Sequence, residues 1–146
     1  MAIGPAVSPG TLSVGQLPRL SAECCRALLG RASSGHLALS QGALPLVVPV
    51  TCTLAGERLI VRAGLGLLGR VPRHPGIVAF ETAGTNPEGI WRWEVLVQGR
   101  AEVLTELVGD HAPPQLDLVD SDLTTVLCIS MELVTGWQYG ASIPSH

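Results

Sequence analysis

The stretch LPLVVPVTCTLAGERLIVRA, residues 44–63, decides the fold of this chain. Its first run, residues 44–54, is rich in β-branched residues, and Ala55-Gly56 then turn the chain back. Residues 58–63 have the same character, so the stretch predicts two antiparallel strands joined by a short hairpin turn. Pro49 lies inside the first run and has no N–H group to donate. It indicates an edge strand, a bulge, or a backbone face that serves something other than a neighbouring strand.

Strand-like runs continue on both sides of this hairpin. GHLALS, residues 35–40, alternates before it, and residues 76–82 and 90–107 alternate after it. Gly99 in the middle of the longer run predicts a bulge, and residues 124–140 predict one last long strand. The pattern therefore predicts a mainly β domain with short helices, built as a closed or half-closed antiparallel barrel of about six strands.

A short helix and a flexible arm are predicted ahead of the strands. Ser21 has the character of an N-cap, Glu23 falls in the first turn, and the apolar residues that follow form one helical face. Residues 1–19 are interrupted by proline and glycine and predict a flexible arm. Residues 20–142 show no linker, repeat or low-complexity segment, so they are predicted to form a single domain.

The composition restricts the classes of function. The chain has 146 residues and a formal net charge of −3, and its nine basic residues are all arginines. Scattered arginines in an acidic chain argue against a nucleic-acid partner, and the lack of a long apolar run argues against a membrane span. The four cysteines show no C-x-x-C spacing, which favours a reducing, cytoplasmic location, and Cys52 and Cys128 are expected in the core. Without lysine, any side-chain cation that holds a phosphate group must be an arginine.

The glycine pattern Gly64-x-Gly66-x-x-Gly69 follows an apolar run and precedes Glu81, as in a dinucleotide-binding turn. That fold needs a helix that crosses back to a parallel strand. Here Pro72 interrupts the short segment before the next strand, and the preceding strands form a meander. The pattern therefore disfavours a nicotinamide cofactor and favours another way of bringing backbone close to a phosphate.

Five stretches occur in an order that is specific for one fold family. They are GHLAL, LPLVVPVTCTLAGERLIVRA, GIVAFE, WEVLVQGRAEVL and ELVTGWQYG, within residues 20–140. This ordered set resembles the pyridoxamine 5'-phosphate oxidase-like flavin-binding split barrels. The resemblance implies a homodimeric split β-barrel with flavin mononucleotide (FMN) bound between the subunits. It also implies a flavin-dependent oxidoreductase that acts on a small organic molecule.

The resemblance also implies roles for individual residues. The isoalloxazine ring would lie along the second strand, Arg62 would hold the phosphate, and Trp137 would approach the flavin of the partner subunit. Small residues after Arg62 would let the backbone come close to the phosphate. The implied cofactor-binding residues are Val48, Pro49, Val50, Thr51, Arg62, Ala63, Gly64, Gly66, Leu68, Arg70 and Trp137.

Two positions depart from the phosphate-binding pattern of that family. Ala63 stands where the family has a hydroxyl and Leu68 stands where it has a lysine. Each loss removes a charge-assisted contact of roughly 1.5–3 kcal/mol. Arg70 or Arg73 would restore one charge. The alternatives are a deazaflavin or heme ligand, or a barrel without flavin that isomerises, cyclises or simply binds a small apolar molecule.

Histidine and tryptophan supply the other candidate site residues. His74 follows the glycine-rich segment and is the candidate proton donor or axial heme ligand. His36 lies in an alternating strand and is expected to be packed and hydrogen-bonded. Trp91 and Trp93 share one face of a strand, which is expected to serve the core, the dimer interface or the ligand pocket. No histidine pair has metal-ligand spacing, so no metal site is predicted.

Overall fold

The computed structural model describes residues 18–63, 71–104 and 125–140. Within these ranges it contains one helix and seven strands. They are α1 (Ala22–Arg31), β1 (Ser34–Gln41), β2 (Leu44–Ala55), β3 (Arg58–Ala63), β4 (Gly76–Thr85), β5 (Trp91–Val103), β6 (Thr125–Ser130) and β7 (Leu133–Gly140). The implied site residues Gly64, Gly66, Leu68 and Arg70 lie outside the described residues.

Six of the described strands form a closed antiparallel barrel. Around the ring their order is β4-β1-β2-β3-β6-β5, and the pairing of β5 with β4 closes it. β7 lies outside the ring and pairs with the N-terminal half of β5. The structure therefore confirms the predicted mainly β, six-stranded split barrel.

The hairpin turns of the meander set the register on which the candidate site depends. Gly42 and Gly56 adopt φ values of 61° and 60°, in the left-handed region that such short turns require. The turn at Gly56 pairs β2 with β3 so that Thr51 lies directly opposite Arg62. A slip of one residue would send these two side chains to opposite faces of the sheet.

β5 is one long strand, as predicted, and it has no extra residue at Gly99, so the predicted bulge is wrong for β5 itself. Its ladder with β4 keeps one register from Gly76 opposite Ala101 to Thr85 opposite Arg92. The glycine instead allows a close backbone approach, because a Cβ atom at position 99 would overlap the carbonyl oxygen of Ser130. At this place the partner of β5 changes from β7 to β6.

The single last strand predicted over residues 124–140 is also wrong, since two strands occupy this stretch. β6 pairs with β3 and with the end of β5, whereas β7 pairs with β5 alone. Between them the chain bends at Met131 and Glu132, where three residues lie opposite only two of β5, and the N–H of Glu132 donates to the carbonyl of Ser130 at 3.0 Å. β6 and β7 run in the same direction along the same edge of β5, so this bend shifts the register by one residue without reversing the chain.

α1 begins at the predicted cap and packs against the barrel. The hydroxyl of Ser21 accepts a hydrogen bond from the N–H of Cys24 at 3.1 Å, and the buried face of the helix contains Cys25, Leu28 and Leu29. Of the predicted arm, residues 1–17 lie outside the described residues. Pro18 and Arg19 lie along β7, where the carbonyl of Pro18 accepts a hydrogen bond from the N–H of Gln138. No helix in the described parts of the chain is long and apolar enough to cross a membrane.

The barrel interior is filled by apolar side chains that alternate with outward-facing ones. Phe80 is its largest fully buried side chain in the described residues. Cys52 is buried in the interior, and Cys128 is buried in a second, smaller cluster with Ile60 and Val126, which confirms both cysteines as core residues. Burial raises the pKa of Cys52 to about 11, so its thiol remains protonated at neutral pH.

Candidate functional site

The four residues implied in β2 divide between the two faces of the sheet. Val48 and Val50 point into the barrel, where they are 0% and 5% exposed. Pro49 and Thr51 alternate with them and therefore lie on the outer surface. Only Pro49 and Thr51 can present side chains to a ligand on the outer surface, while the valines support the strand from within.

Arg62 lies on the same outer surface, directly across from Thr51. Its neighbours Val61 and Ala63 belong to the interior core, so the guanidinium group projects to the other side of β3. Ala63 is 1% exposed, and its methyl group faces the interior rather than the surface shared by Thr51 and Arg62. The structure thus brings Thr51 and Arg62 together and directs the side chain of Ala63 away from them.

The hydroxyl group of Thr51 is a buried polar atom whose missing hydrogen bond a ligand would supply. Its Oγ1 is buried and, among the residues that the structure describes, has no hydrogen-bond partner. Leaving such a group unsatisfied costs roughly 1–3 kcal/mol. The hydroxyl lies beside Arg62, a residue that is itself buried and only 8% exposed. A ligand with anionic or polar oxygen atoms fits this pair, as a flavin with its phosphate-bearing chain would.

A transverse row of residues continues from Pro49 around the outer surface. Pro49 pairs with His36 of β1, and His36 pairs with Glu81 of β4. Nδ1 of His36 lies 3.3 Å from Oε2 of Glu81, and the two side chains are 61% and 44% exposed. The expectation that His36 is packed is therefore wrong, although the hydrogen bond is present. The signal in the sequence was the buried Leu37 beside it, which forces His36 outward.

Trp137 lies on β7, directly opposite Glu94 of β5. The hydroxyl of Tyr139 donates to Oε1 of Glu94 at 2.9 Å, and this hydrogen bond is the main reason why the pKa of Tyr139 is raised. In the sheet, β5, β4 and β1 separate β7 from β2. Within one chain the structure therefore does not bring Trp137 together with Thr51 and Arg62.

The remaining candidates lie at the edges of this surface or inside the barrel. Arg73 and His74 are exposed and follow the segment outside the described residues. Trp93 packs against the core, with its ring against Gly84, and Trp91 is half-buried near Gly140. In the described ranges, no group of three His, Cys, Asp or Glu side chains could hold a metal ion.

Comparison with known proteins gives one family and one fold. A family model described as pyridoxamine 5'-phosphate oxidase matches residues 21–136. The FAD binding protein from Mycobacterium smegmatis has a TM-score of 0.63 at 18% identity, with 84% of this chain and 98% of that chain covered. A FAD-binding protein from Mesorhizobium loti has a TM-score of 0.64 at 23% identity, with 84% and 98% covered.

A third solved structure shares the fold and carries a second cofactor in its name. The FAD and heme binding protein from Mycobacterium smegmatis has a TM-score of 0.58 at 13% identity, with 88% of this chain and 76% of that chain covered. At these identities the likeness shows the fold alone. No curated protein matches the chain.

Proposed function

The chain belongs to the pyridoxamine 5'-phosphate oxidase family, and from that premise we propose that it is a flavin-dependent oxidoreductase acting on a small organic molecule. The flavin would lie against the outer surface of β2 and β3. The observation that carries this proposal is the buried, unsatisfied hydroxyl of Thr51 directly opposite the buried Arg62. When bound, a flavin accepts or supplies a hydride, and the protein binds and orients it.

The arrangement of the pair suits the phosphate end of a flavin. Arg62 supplies a planar cation that can bind a phosphate through two hydrogen bonds, and Thr51 supplies a hydroxyl at its side. Pro49 gives the neighbouring part of β2 an apolar, donor-free surface on which a flat ring can lie. Two of the structural neighbours are named as FAD-binding proteins, which supports FAD beside FMN as the flavin that we propose.

The functional unit would be a homodimer with the two flavin sites at its interface. A second transverse row of outward-facing residues crosses the sheet, with Val47 at one end and Leu133 at the other. These two residues are 62% and 53% exposed, and Ile77, which lies beside the row on β4, is 58% exposed. Pairing of two copies would cover these apolar side chains. It would also let Trp137 of one chain reach the Thr51 and Arg62 site of the other, which it does not reach within its own chain.

The visible absorption spectrum of the purified protein is the first test of this proposal. The protein is examined as purified, then after incubation with FMN or with FAD followed by desalting. A retained yellow flavin spectrum with one of them is the expected result, and it also identifies the form of the flavin. A protein that retains neither would overturn the proposal and favour a cofactor-free reaction on the same surface.

The substitution Thr51→Val should change stability and binding in opposite directions. In the absence of flavin, we expect the free energy of unfolding to rise by about 1 kcal/mol, because an unsatisfied buried hydroxyl is replaced by a methyl group. We also expect flavin affinity to fall roughly tenfold, the equivalent of ~1.4 kcal/mol. Urea denaturation and a fluorescence titration with FMN measure the two effects.

The matched control is Thr53→Val, two residues along the same side of β2. Thr53 is half-buried and is not among the buried side chains without a hydrogen-bond partner. This control should leave flavin affinity within about twofold of the original value, a difference below ~0.5 kcal/mol. A Thr51→Val protein that is less stable than the original without flavin would contradict the assignment of an unsatisfied hydroxyl.

A further inference from the structure

We propose that His36, oriented by Glu81, is the group that transfers a proton to or from a substrate bound at the flavin site. The inference rests on the proposed function, because it takes the outer surface of β2 as the place where flavin and substrate meet. It assigns a role to two side chains that lie 45 residues apart in sequence and 3.3 Å apart in space. Glu81 acts through His36 and is a positioning residue.

The hydrogen bond between the two side chains decides which ring nitrogen of His36 is available. A carboxylate oxygen accepts in such a contact, so the tautomer that makes this hydrogen bond carries its hydrogen on Nδ1 of the imidazole. Nε2 is then left without a hydrogen in the neutral ring and carries one in the charged ring. A base oriented by a carboxylate in this way is the arrangement that proton transfer in enzymes commonly uses.

The position of His36 places this nitrogen next to the candidate flavin site. His36 is the direct cross-strand partner of Pro49, with side chains about 5 Å apart at Cβ, and it is diagonal to Thr51 at about 7–8 Å. A flat ring lying on Pro49 would therefore have His36 at its rim. On the other side of Glu81, the row continues with Leu96 and Thr135, which carry no charge.

Few charged groups surround His36 on the strands packed against it. In the described residues, Glu81 of β4 is its direct neighbour, and β2 offers only uncharged residues on the outer face. Arg62 lies beyond Thr51 on β3, and Glu94 lies beyond Ala83 on β5. The carboxylate of Glu81 is thus the charged group nearest to the imidazole among the described residues. The ring is 61% exposed and stays in contact with solvent water.

The chemistry that such a group would serve is the two-electron reduction of a quinone-type substrate. A bound reduced flavin would supply a hydride to one carbonyl oxygen of the quinone, and an electron pair would move through the ring to the other oxygen. Nε2 of the imidazolium would give its proton to that second oxygen, which would leave a hydroquinone, a neutral imidazole and oxidised flavin. Solvent would return the proton to the exposed ring. In the oxidative direction the same imidazole would accept the proton of the hydroquinone.

The first test locates His36 relative to the flavin without measuring activity. The chain has four histidines, so protein labelled with ¹⁵N-histidine gives few imidazole signals, and the spectrum of His36→Gln assigns those of His36. We expect saturating FMN to shift the His36 signals, and we expect the neutral ring to carry its hydrogen on Nδ1. Glu81→Gln should weaken this tautomer preference while flavin affinity stays within about threefold, a difference near ~0.7 kcal/mol.

The matched control is Glu57→Gln, which removes the carboxylate of an exposed ion pair with Arg26 elsewhere on the molecule. It should leave the His36 signals unchanged both with and without FMN. The absorption spectrum of the same sample reports whether FMN is bound. If FMN binds and the His36 signals do not move, the inference is wrong while the proposed function stands. If FMN and FAD both fail to bind, the proposed function and the inference fall together.

The second test measures the proton transfer itself. The flavin complex is reduced anaerobically and mixed in a stopped-flow instrument with menadione, whose reduction by hydride requires one proton at oxygen. We expect His36→Gln to slow flavin reoxidation by 100-fold or so, in the range of general acid catalysis, and Glu81→Gln to slow it by about tenfold. The variant His74→Gln tests whether the other candidate histidine transfers the proton instead. Equal rates for His36→Gln and the original protein would overturn the inference.

Discussion

Gly99→Ala is expected to destabilise the barrel by roughly 3 kcal/mol, at the upper end of what overpacking does. The added Cβ would overlap the carbonyl oxygen of Ser130 and lie 2.9 Å from its carbonyl carbon. These are backbone atoms at the end of β6, so no side-chain rotation can relieve the contact. A shift of β6 would instead weaken its pairing with β5 and β3. The midpoint of urea denaturation measures the loss, with unchanged m values indicating the same native fold.

Gly30→Ala is the matched control for this substitution. A Cβ atom at position 30 would meet only Cδ2 of Leu54, at an ordinary distance of 3.9 Å. Because Gly30 lies in α1, alanine there should stabilise the protein by up to about 1 kcal/mol through its helix propensity. If Gly99→Ala were tolerated as well as Gly30→Ala, the close approach of Gly99 to the backbone of Ser130 would be wrong.

Arg62→Ala is expected to weaken flavin binding about 100-fold, close to the loss of one charge-assisted contact with phosphate. Arg62 is the buried cation opposite Thr51, and the chain has no lysine to replace it. The loss should be largest for FMN and smaller for riboflavin, which lacks the phosphate. Fluorescence titrations with both ligands measure the difference.

Arg58→Ala is the control for charge on the same side of the same strand. Arg58 is exposed and its Nη1 lies 3.6 Å from the sulfur of Cys128, away from Thr51. Its removal should leave flavin affinity within about twofold, or ~0.4 kcal/mol. A similar loss for Arg58→Ala and Arg62→Ala would point to general electrostatic attraction instead of a phosphate site.

Leu68→Lys, which restores the family's lysine, should strengthen binding roughly tenfold by the same reasoning.

Alternation and turn residues predicted most of the barrel. The N-cap at Ser21, the meander and the long β5 follow from local patterns that the sequence shows directly. The bend at Met131 and Glu132 could not be predicted, since neither residue is a typical turn former and the run is apolar on both sides. The bend lies where pairing with β3 ends while pairing with β5 continues, which is a property of the closed barrel. The role of Gly99 was missed for the same reason.

The residues of the proposed site follow only in part from the sequence. Arg62 and the β2 stretch were identified from the resemblance, but only the register fixed by Gly56 shows that Thr51 and Pro49 share the outer surface with Arg62. The pair of His36 and Glu81 could not be found from sequence, because it depends on pairing between β1 and β4, which are not consecutive in the chain. Alternation indicates that both point outward, and topology alone brings them together.

β5, which pairs with β4, β6 and β7, also determines where this barrel opens most easily. Within the described residues it is held to β4 by ten residue pairs but to β6 by three, Ala101–Ile129, Glu102–Cys128 and Val103–Leu127, and by one further hydrogen bond from the N–H of Leu104 to the carbonyl of Val126. Local opening requires the least free energy where the fewest backbone hydrogen bonds and contacts are broken. Amide hydrogens along this short seam should therefore exchange with solvent sooner than those between β4 and β5. Separation at the seam gives water access to the interior while the meander stays intact.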